Sequence, residues 1–178
     1  MVIIRAAGDQ YEAVRSFYHS LIDATAGPGA LVGWKKDIYP SPGFLMGSIR
    51  RGEMYLAMEE DAIAGAMVLN QDCNEGYAGF QWRSGARDSE AMVIHALGVH
   101  PRYSGRGYAK ALVREAVAVA AERGMKAIRL DVLEGNYPAE KLYLGLGFQY
   151  MGTVKMYYED TGWKNFKLYE YPIPADRD

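Results

Sequence analysis

The chain has 178 residues, 49% of them hydrophobic and 24% charged, with a net charge of −2 and a pI near 5.9. That length suits one domain able to bury a core, and the charge balance argues against a nucleic-acid surface as the main activity. The apolar run Ala116 to Ala121 is far short of the roughly 20 residues that a bilayer requires, so no membrane span is expected.

The opening MVIIRAAGDQ lacks a basic flank followed by an apolar stretch, so no secretory signal is expected. The single cysteine, Cys73, offers neither an internal disulfide nor a zinc ligand set. A reducing cytoplasm is the expected location, with no metal.

Val2 to Arg5 reads as a short strand. From Asp9 a helical pattern places Tyr11, Val14, Phe17, Tyr18, Leu21 and Ile22 on one side, and Gly27, Pro28 and Gly29 stop it. After a turn-rich stretch, Phe44 to Arg51 suits a second helix capped by Ser41. Residues 54–70 read as a hairpin around Glu59, Glu60 and Asp61, and residues 71–89 as a loop with strand ends. Residues 91–99 form an apolar strand. Ala109, Leu112, Val113, Ala116, Val117 and Ala120 then follow the spacing of an amphipathic helix over 107–123, ended by Gly124. Ile128, Leu130 and Val132 alternate with Arg129 and Asp131 in a strand over 126–133. A short helix runs from Asn136 to Leu146, and strands over 149–158 and 166–171 flank a turn at Asp160 to Gly162. Mixed strands and helices indicate a single domain of the α/β (α+β) class.

The stretch PRYSGRGYAK carries the chemistry. It lies between a strand and a helix start, where unpaired N–H groups and the helix dipole attract an anion. Gly105 and Gly107 allow close approach of backbone to phosphate oxygens, and Arg102 and Arg106 add positive charge. A nucleoside-triphosphate loop would need Gly-Lys-Ser/Thr, which is absent. A dinucleotide site remains an alternative, with Asp131 where a ribose-binding acid belongs. However, Lys110 occupies the third glycine position, and Pro101 begins a long approach to the first glycine.

Arg102-x-x-Gly105-x-Gly107 after HALGVHP resembles the acyl-CoA-binding signature of the GCN5-related N-acetyltransferase family. NYPAEKLYLGLGF, with Asn136, Ala139, Leu142, Tyr143, Gly147 and Phe148, resembles that family's second segment, and the two cover residues 91–148. The resemblance implies a mixed sheet of about six or seven strands with about four helices, spanning 1–178 as one transferase domain. Within it 91–148 would be the cofactor core, and 1–60 with 149–178 the acceptor side. It also implies acetyl-CoA as cosubstrate, with pantetheine pairing at Leu97, Gly98 and Val99. The pyrophosphate would lie over Ser104, Gly105, Arg106, Gly107, Tyr108 and Ala109, near Arg102. Asn136, Ala139 and Tyr143 of the second segment would also contact the cosubstrate, and Tyr143 holds the position of the general acid toward the CoA sulfur.

His95 is similar to one of two histidines in the arylalkylamine N-acetyltransferase branch, although Val93 stands where the other would be. It is one candidate base; Glu90 and water alone are the others. The expected reaction is direct acetyl transfer to a primary amine of a small molecule or peptide. Tyr11, Phe17, Tyr18, Trp34, Tyr39, Tyr157, Tyr158 and Trp163, with Glu159 and Asp160, are candidates for the acceptor side. Many relatives pair, so a homodimer is compatible. Two other readings are a non-catalytic acyl-CoA-binding module and a nicotinamide-dependent oxidoreductase.

Overall fold

A computed structural model describes residues 1–30 and 32–174; residues 31 and 175–178, part of the expected acceptor side, lie outside the described residues. The elements are β1 (Val2–Arg5), α1 (Tyr11–Thr25), α2 (Pro42–Arg50), β2 (Met54–Glu59), β3 (Ala62–Asn70), β4 (Ala91–Val99), α3 (Tyr108–Glu122), β5 (Ala127–Leu133), α4 (Tyr137–Gly145), β6 (Gln149–Tyr158) and β7 (Gly162–Pro172). The sheet order is β1-β2-β3-β4-β5-β7-β6. β1, β2 and β3 pair antiparallel, β4 and β5 pair parallel through Ala91–Val93, and β7 pairs antiparallel with both β5 and β6. The chain divides into two compact units, Met1–Leu69 with His95–Glu115, and Asn70–Ile94 with Ala116–Asp178.

In the first unit, Val14, Phe17, Tyr18 and Leu21 recur at helical spacing and bury one face of α1. They share a core with Leu45 and Ile49 of α2 and with Met54, Leu56, Ala66 and Val68 of the hairpin. Ser41 caps α2 as expected, its Oγ accepting from the Phe44 N–H at 3.1 Å. Pro42 fits the first helical turn, so α2 begins two residues before Phe44. The connection between α1 and α2 is fastened by ions. Asp37 takes two hydrogen bonds from Arg15, at 2.9 and 2.8 Å, and lies 3.0 Å from His19 Nε2.

In the second unit, the alternation along β5 places Arg129 and Asp131 in surroundings that an exposed polar face would not have. Arg129 is 1% exposed and stands opposite Glu170 of β7, itself 1% exposed. The Arg129 guanidinium donates to Glu170 at 3.1 Å, to Asp88 at 3.0 Å and to the Ala86 carbonyl at 2.6 Å, and it lies 4.3 Å from the centroid of the Trp82 ring. Ser84 completes the cluster by donating to Glu170 through its N–H at 2.9 Å and its Oγ at 2.8 Å. Residues 71–89, expected as a loop with strand ends, are held by this ion network and contain the 3-10 turn Glu75–Tyr77. Tyr77 joins Val93, Met156, Phe166 and Leu168 in a buried cluster.

Glu90 closes the following 3-10 turn, Asp88–Glu90. Its carboxylate accepts from Lys126 at 2.7 Å and from the Arg87 N–H at 2.9 Å. These two bonds, with the Arg87 guanidinium, hold its pKa down from 4.5 to about 2. The Arg15 side chain foremost, assisted by His19, likewise holds Asp37 down from 3.8 to about 2. Both groups therefore contribute stability above the ordinary carboxylate range and lose it as pH falls from about 4.5 toward 2. Glu90→Gln is expected to lower the melting midpoint more at pH 6 than at pH 2.5; equal shifts at the two pH values would contradict this account.

Candidate active site

The first unit holds the phosphate-loop candidates. Within β4, Ala96 has φ 50, uncommon for a residue with a Cβ, and its carbonyl accepts from the buried Tyr18 hydroxyl at 2.7 Å. Alanine gives no sequence signal for such a break. His95 is half-buried, edge-on to Phe44 with centroids 6.3 Å apart. Leu97, Gly98 and Val99 are half-buried as the strand leaves the core. A Cβ at Gly98 would lie 2.5 Å from Leu21 Cδ2 and 3.1 Å from the Trp34 ring, so packing alone already requires glycine there.

After β4, His100 caps the 3-10 turn Pro101–Tyr103, Nδ1 accepting from the Arg102 N–H at 3.2 Å while Nε2 lies 3.1 Å from Ser20 Oγ. His100 thus has a structural role at this turn. Ser104 is exposed, and Gly105 and Gly107 follow at φ 74 and 84, a left-handed backbone that favours glycine. A Cβ at either would meet nothing within 4 Å. Their requirement within the protein is conformational, and the space beside them is open. α3 begins at Tyr108, one residue later than expected, with Ala109 in its first turn.

Arg106 and Arg102 differ in one respect that sequence could not show. Arg106 donates to Glu59 of β2, which also accepts from the Tyr108 hydroxyl. The guanidinium expected to add charge for phosphate thus already has a carboxylate partner. Arg102 is exposed, 5.8 Å from the centroid of the Tyr103 ring.

The second unit holds Glu90, Asn136, Ala139 and Tyr143. Asn136 caps α4, its Oδ1 accepting from the Ala139 N–H at 3.3 Å, which gives this part of the motif a helix-starting role. Tyr143 is 6% exposed and edge-on to Phe148 at 5.4 Å. Burial first, and then the charge of Asp131, push its pKa well above that of an ordinary phenol. The Tyr143 hydroxyl therefore remains protonated at neutral pH. Asp131 accepts from the hydroxyls of Tyr77 and Tyr158, both at 2.8 Å, and burial raises its own pKa in spite of these bonds. The sequence offered this residue only as a ribose ligand. Its carboxylate instead has two tyrosine hydroxyls as partners, against the oxidoreductase alternative. Glu90, bound to Lys126 and Arg87, holds a proton too weakly to act as a base near neutrality.

The acceptor-side candidates also divide. Phe17 and Tyr18 are core, Trp34 and Tyr39 are half-buried against it, and Tyr157 and Trp163 form an exposed aromatic pair. Asp160 is buried in the β6–β7 turn and Glu159 is exposed, so the two acids of that turn do not form a joint surface site for a cation. Among the described residues no helix is long and apolar enough to cross a membrane, and no group of three or more His, Cys, Asp or Glu could hold a metal ion.

Residues 27–148, well over half of the chain, match the model of the acetyltransferase (GNAT) family, a stretch running through both Gly105–Gly107 and Tyr143. The chain belongs to the GNAT family. Similar to it is the N-alpha-acetyltransferase RimI of Mycobacterium tuberculosis, 38% identical over 87 residues, covering 49% of this chain and 52% of that protein. The chain therefore spans about half the length of that relative. A putative ribosomal protein bS18 alanine N-acetyltransferase of Bacillus subtilis is 29% identical over 113 residues, 63% of this chain and 72% of that one. A putative acetyltransferase of Salmonella typhimurium, solved with its cofactor acetyl-CoA, shares the fold at a TM-score of 0.68 and 16% identity, covering 100% of this chain and 96% of that one. The mixed seven-stranded sheet with four helices is the GNAT fold.

Proposed function

We propose that the chain acts over 1–178 as one acetyl-CoA-dependent N-acetyltransferase, transferring acetyl directly to a primary amine. The observation that carries this reading is the family match through two motifs at once, the open left-handed turn at Gly105–Gly107 and the buried donor Tyr143. The acetyl-CoA in the Salmonella structure supports the choice of cosubstrate.

Leu97, Gly98 and Val99 offer strand backbone to the pantetheine amides. Ser104, Gly105, Arg106, Gly107, Tyr108 and Ala109 supply the turn and helix start for the pyrophosphate, with Arg102 as the cation. The acceptor arrives as an ammonium and must lose a proton before its nitrogen can attack the thioester carbon. Asp131 holds a proton more readily than Glu90, and His95 is the imidazole candidate. As the C–S bond breaks, Tyr143 donates a hydrogen bond to the sulfur, and CoA leaves as the thiol once protonated. The products are the N-acetyl amine, CoA and one released proton. Because Tyr143 has a higher pKa than a thiol, it stabilises the thiolate more than it titrates against it. The RimI-like relatives make an N-terminal peptide amine the first acceptor to test, ahead of small amines.

Thermal unfolding with acetyl-CoA, CoA, NAD⁺, NADP⁺ or no ligand tests the cosubstrate. A ligand at 100 times its dissociation constant adds about 2.7 kcal/mol, and thus about 5–10 °C for a chain of this size. A rise with acetyl-CoA and CoA alone is expected; a rise only with a nicotinamide nucleotide overturns the reading. Thiol release from acetyl-CoA with an alanine-initiated peptide and a panel of small amines then separates an enzyme from a binding module.

A further inference from the structure

The turn that opens α3 is tied to a carboxylate that the chemistry above does not use. Glu59 is the last residue of β2; one of its oxygens accepts from Arg106 and the other from the Tyr108 hydroxyl. These two donors flank Gly107, so a single side chain grips the backbone on both sides of the left-handed residue. The grip is well anchored. Tyr108 is 2% exposed, and the Arg106 guanidinium also lies over the rings of Tyr103 and Tyr108, with centroids at 5.7 and 5.6 Å. The Tyr108 hydroxyl foremost, and then Arg106, hold Glu59 below the usual carboxylate range, so it stays ionised at neutral pH.

Two roles for Arg106 can be separated by electrostatics. If it left Glu59 to neutralise a phosphate, an uncompensated carboxylate would remain beside the dianionic pyrophosphate, and deleting that carboxylate would strengthen binding. If it stays, its charge is spent on Glu59, and the pair acts on the ligand only through the shape of the turn. The two aromatic contacts and the second hydrogen bond from Tyr108 favour the arrangement that stays.

We propose that Glu59 is a positioning residue for the cosubstrate's pyrophosphate: through Arg106 and Tyr108 it fixes the Gly105–Gly107 turn, with Arg106 a strut rather than a phosphate ligand. Positive charge for the phosphates then comes from Arg102 and the first N–H groups of α3. This inference rests on the acetyl-CoA reading.

A double-mutant cycle tests it, with Glu59→Ala, Arg106→Ala and both together, and Glu59→Gln as the conservative variant. The measurements are CoA affinity by titration calorimetry, and kcat and KM for acetyl-CoA and for acetyl-pantetheine, which lacks the pyrophosphate. Each single change is expected to weaken CoA about tenfold and the pair no more than the worse single, because both break one unit. The loss appears in KM rather than kcat, and the wild-type preference for acetyl-CoA over acetyl-pantetheine falls by the same factor. Glu59→Gln, which keeps an acceptor for Tyr108, falls between. General damage to the fold would lower both thioesters together and overturns the proposal. So does tighter CoA binding by Glu59→Ala, or additive losses in the double variant. A wild-type protein that binds no CoA overturns the acetyl-CoA reading and this inference with it.

Discussion

Arg129→Met is expected to destabilise the fold by about 3–5 kcal/mol, the usual consequence of stranding one member of a buried ion pair. Methionine fills much of the arginine's volume, so the loss comes from charge more than from a cavity. What remains is Glu170, 1% exposed, with the Ser84 donors as its compensation among the described residues. The Ala86 carbonyl and Asp88 lose their donor as well, and these hold the stretch before β4. The melting midpoint should fall by about 10 °C or more. Urea unfolding gives the free-energy difference directly, provided the m-value is unchanged. Arg129→Met combined with Glu170→Leu should recover most of the loss, because removing both charges leaves no buried ion without a partner. A loss below about 1 kcal/mol in the single variant would mean that solvent or a proton compensates Glu170, and that the network does not hold residues 80–90 in place.

The second large effect concerns Tyr143. Tyr143→Phe is expected to lower kcat by about 10²–10⁴, the range that a positioned donor contributes, with acetyl-CoA affinity held within about threefold. Phenylalanine retains the edge-on contact with Phe148, so stability should change little. The pH dependence gives a further check. Burial and Asp131 raise the tyrosine pKa, which places its ionisation beyond the alkaline limb of an ordinary rate profile. The acidic limb should instead report the base. Asp131→Asn abolishes or displaces that limb if the carboxylate is the base, and His95→Gln does so if the imidazole is. Unchanged turnover in Tyr143→Phe would remove the tyrosine from the chemistry. An unchanged acidic limb in both base variants would leave water as the proton acceptor.

What could be read along the chain was local. The spacing Val14, Phe17, Tyr18 and Leu21 defined α1 and the alternating apolar residues of β5 defined a strand, because each follows from the period of one element; Ser41 marked the cap of α2, although the helix starts at Pro42 and not at Phe44. The two glycine-bearing motifs were legible for a related reason. A left-handed turn at a helix start leaves few choices of residue, and Gly105 and Gly107 satisfy that geometry with φ 74 and 84.

The boundaries that shifted did so where neighbours decide. β7 begins at Gly162, ahead of Phe166 where the strand was expected to start, because pairing with β6 continues to Tyr158↔Gly162.

The partners of charged groups lay beyond the sequence. Arg129 and Asp131 read as the polar side of an alternating strand, and that pattern is the same whether the side meets water or a buried counter-charge. Only the register Arg129↔Glu170, with residues 77–90 packed into the same unit, makes it a buried network. The same holds for Glu90, which read as a candidate base and is bound to Lys126, 36 positions away. Glu59 read as a hairpin turn residue and grips a loop 47 positions away. Sequence determined which groups could ionise and which elements would form. Tertiary structure decided which charges were already neutralised, because Coulomb interactions depend on distances of a few ångströms between residues that the chain separates by dozens.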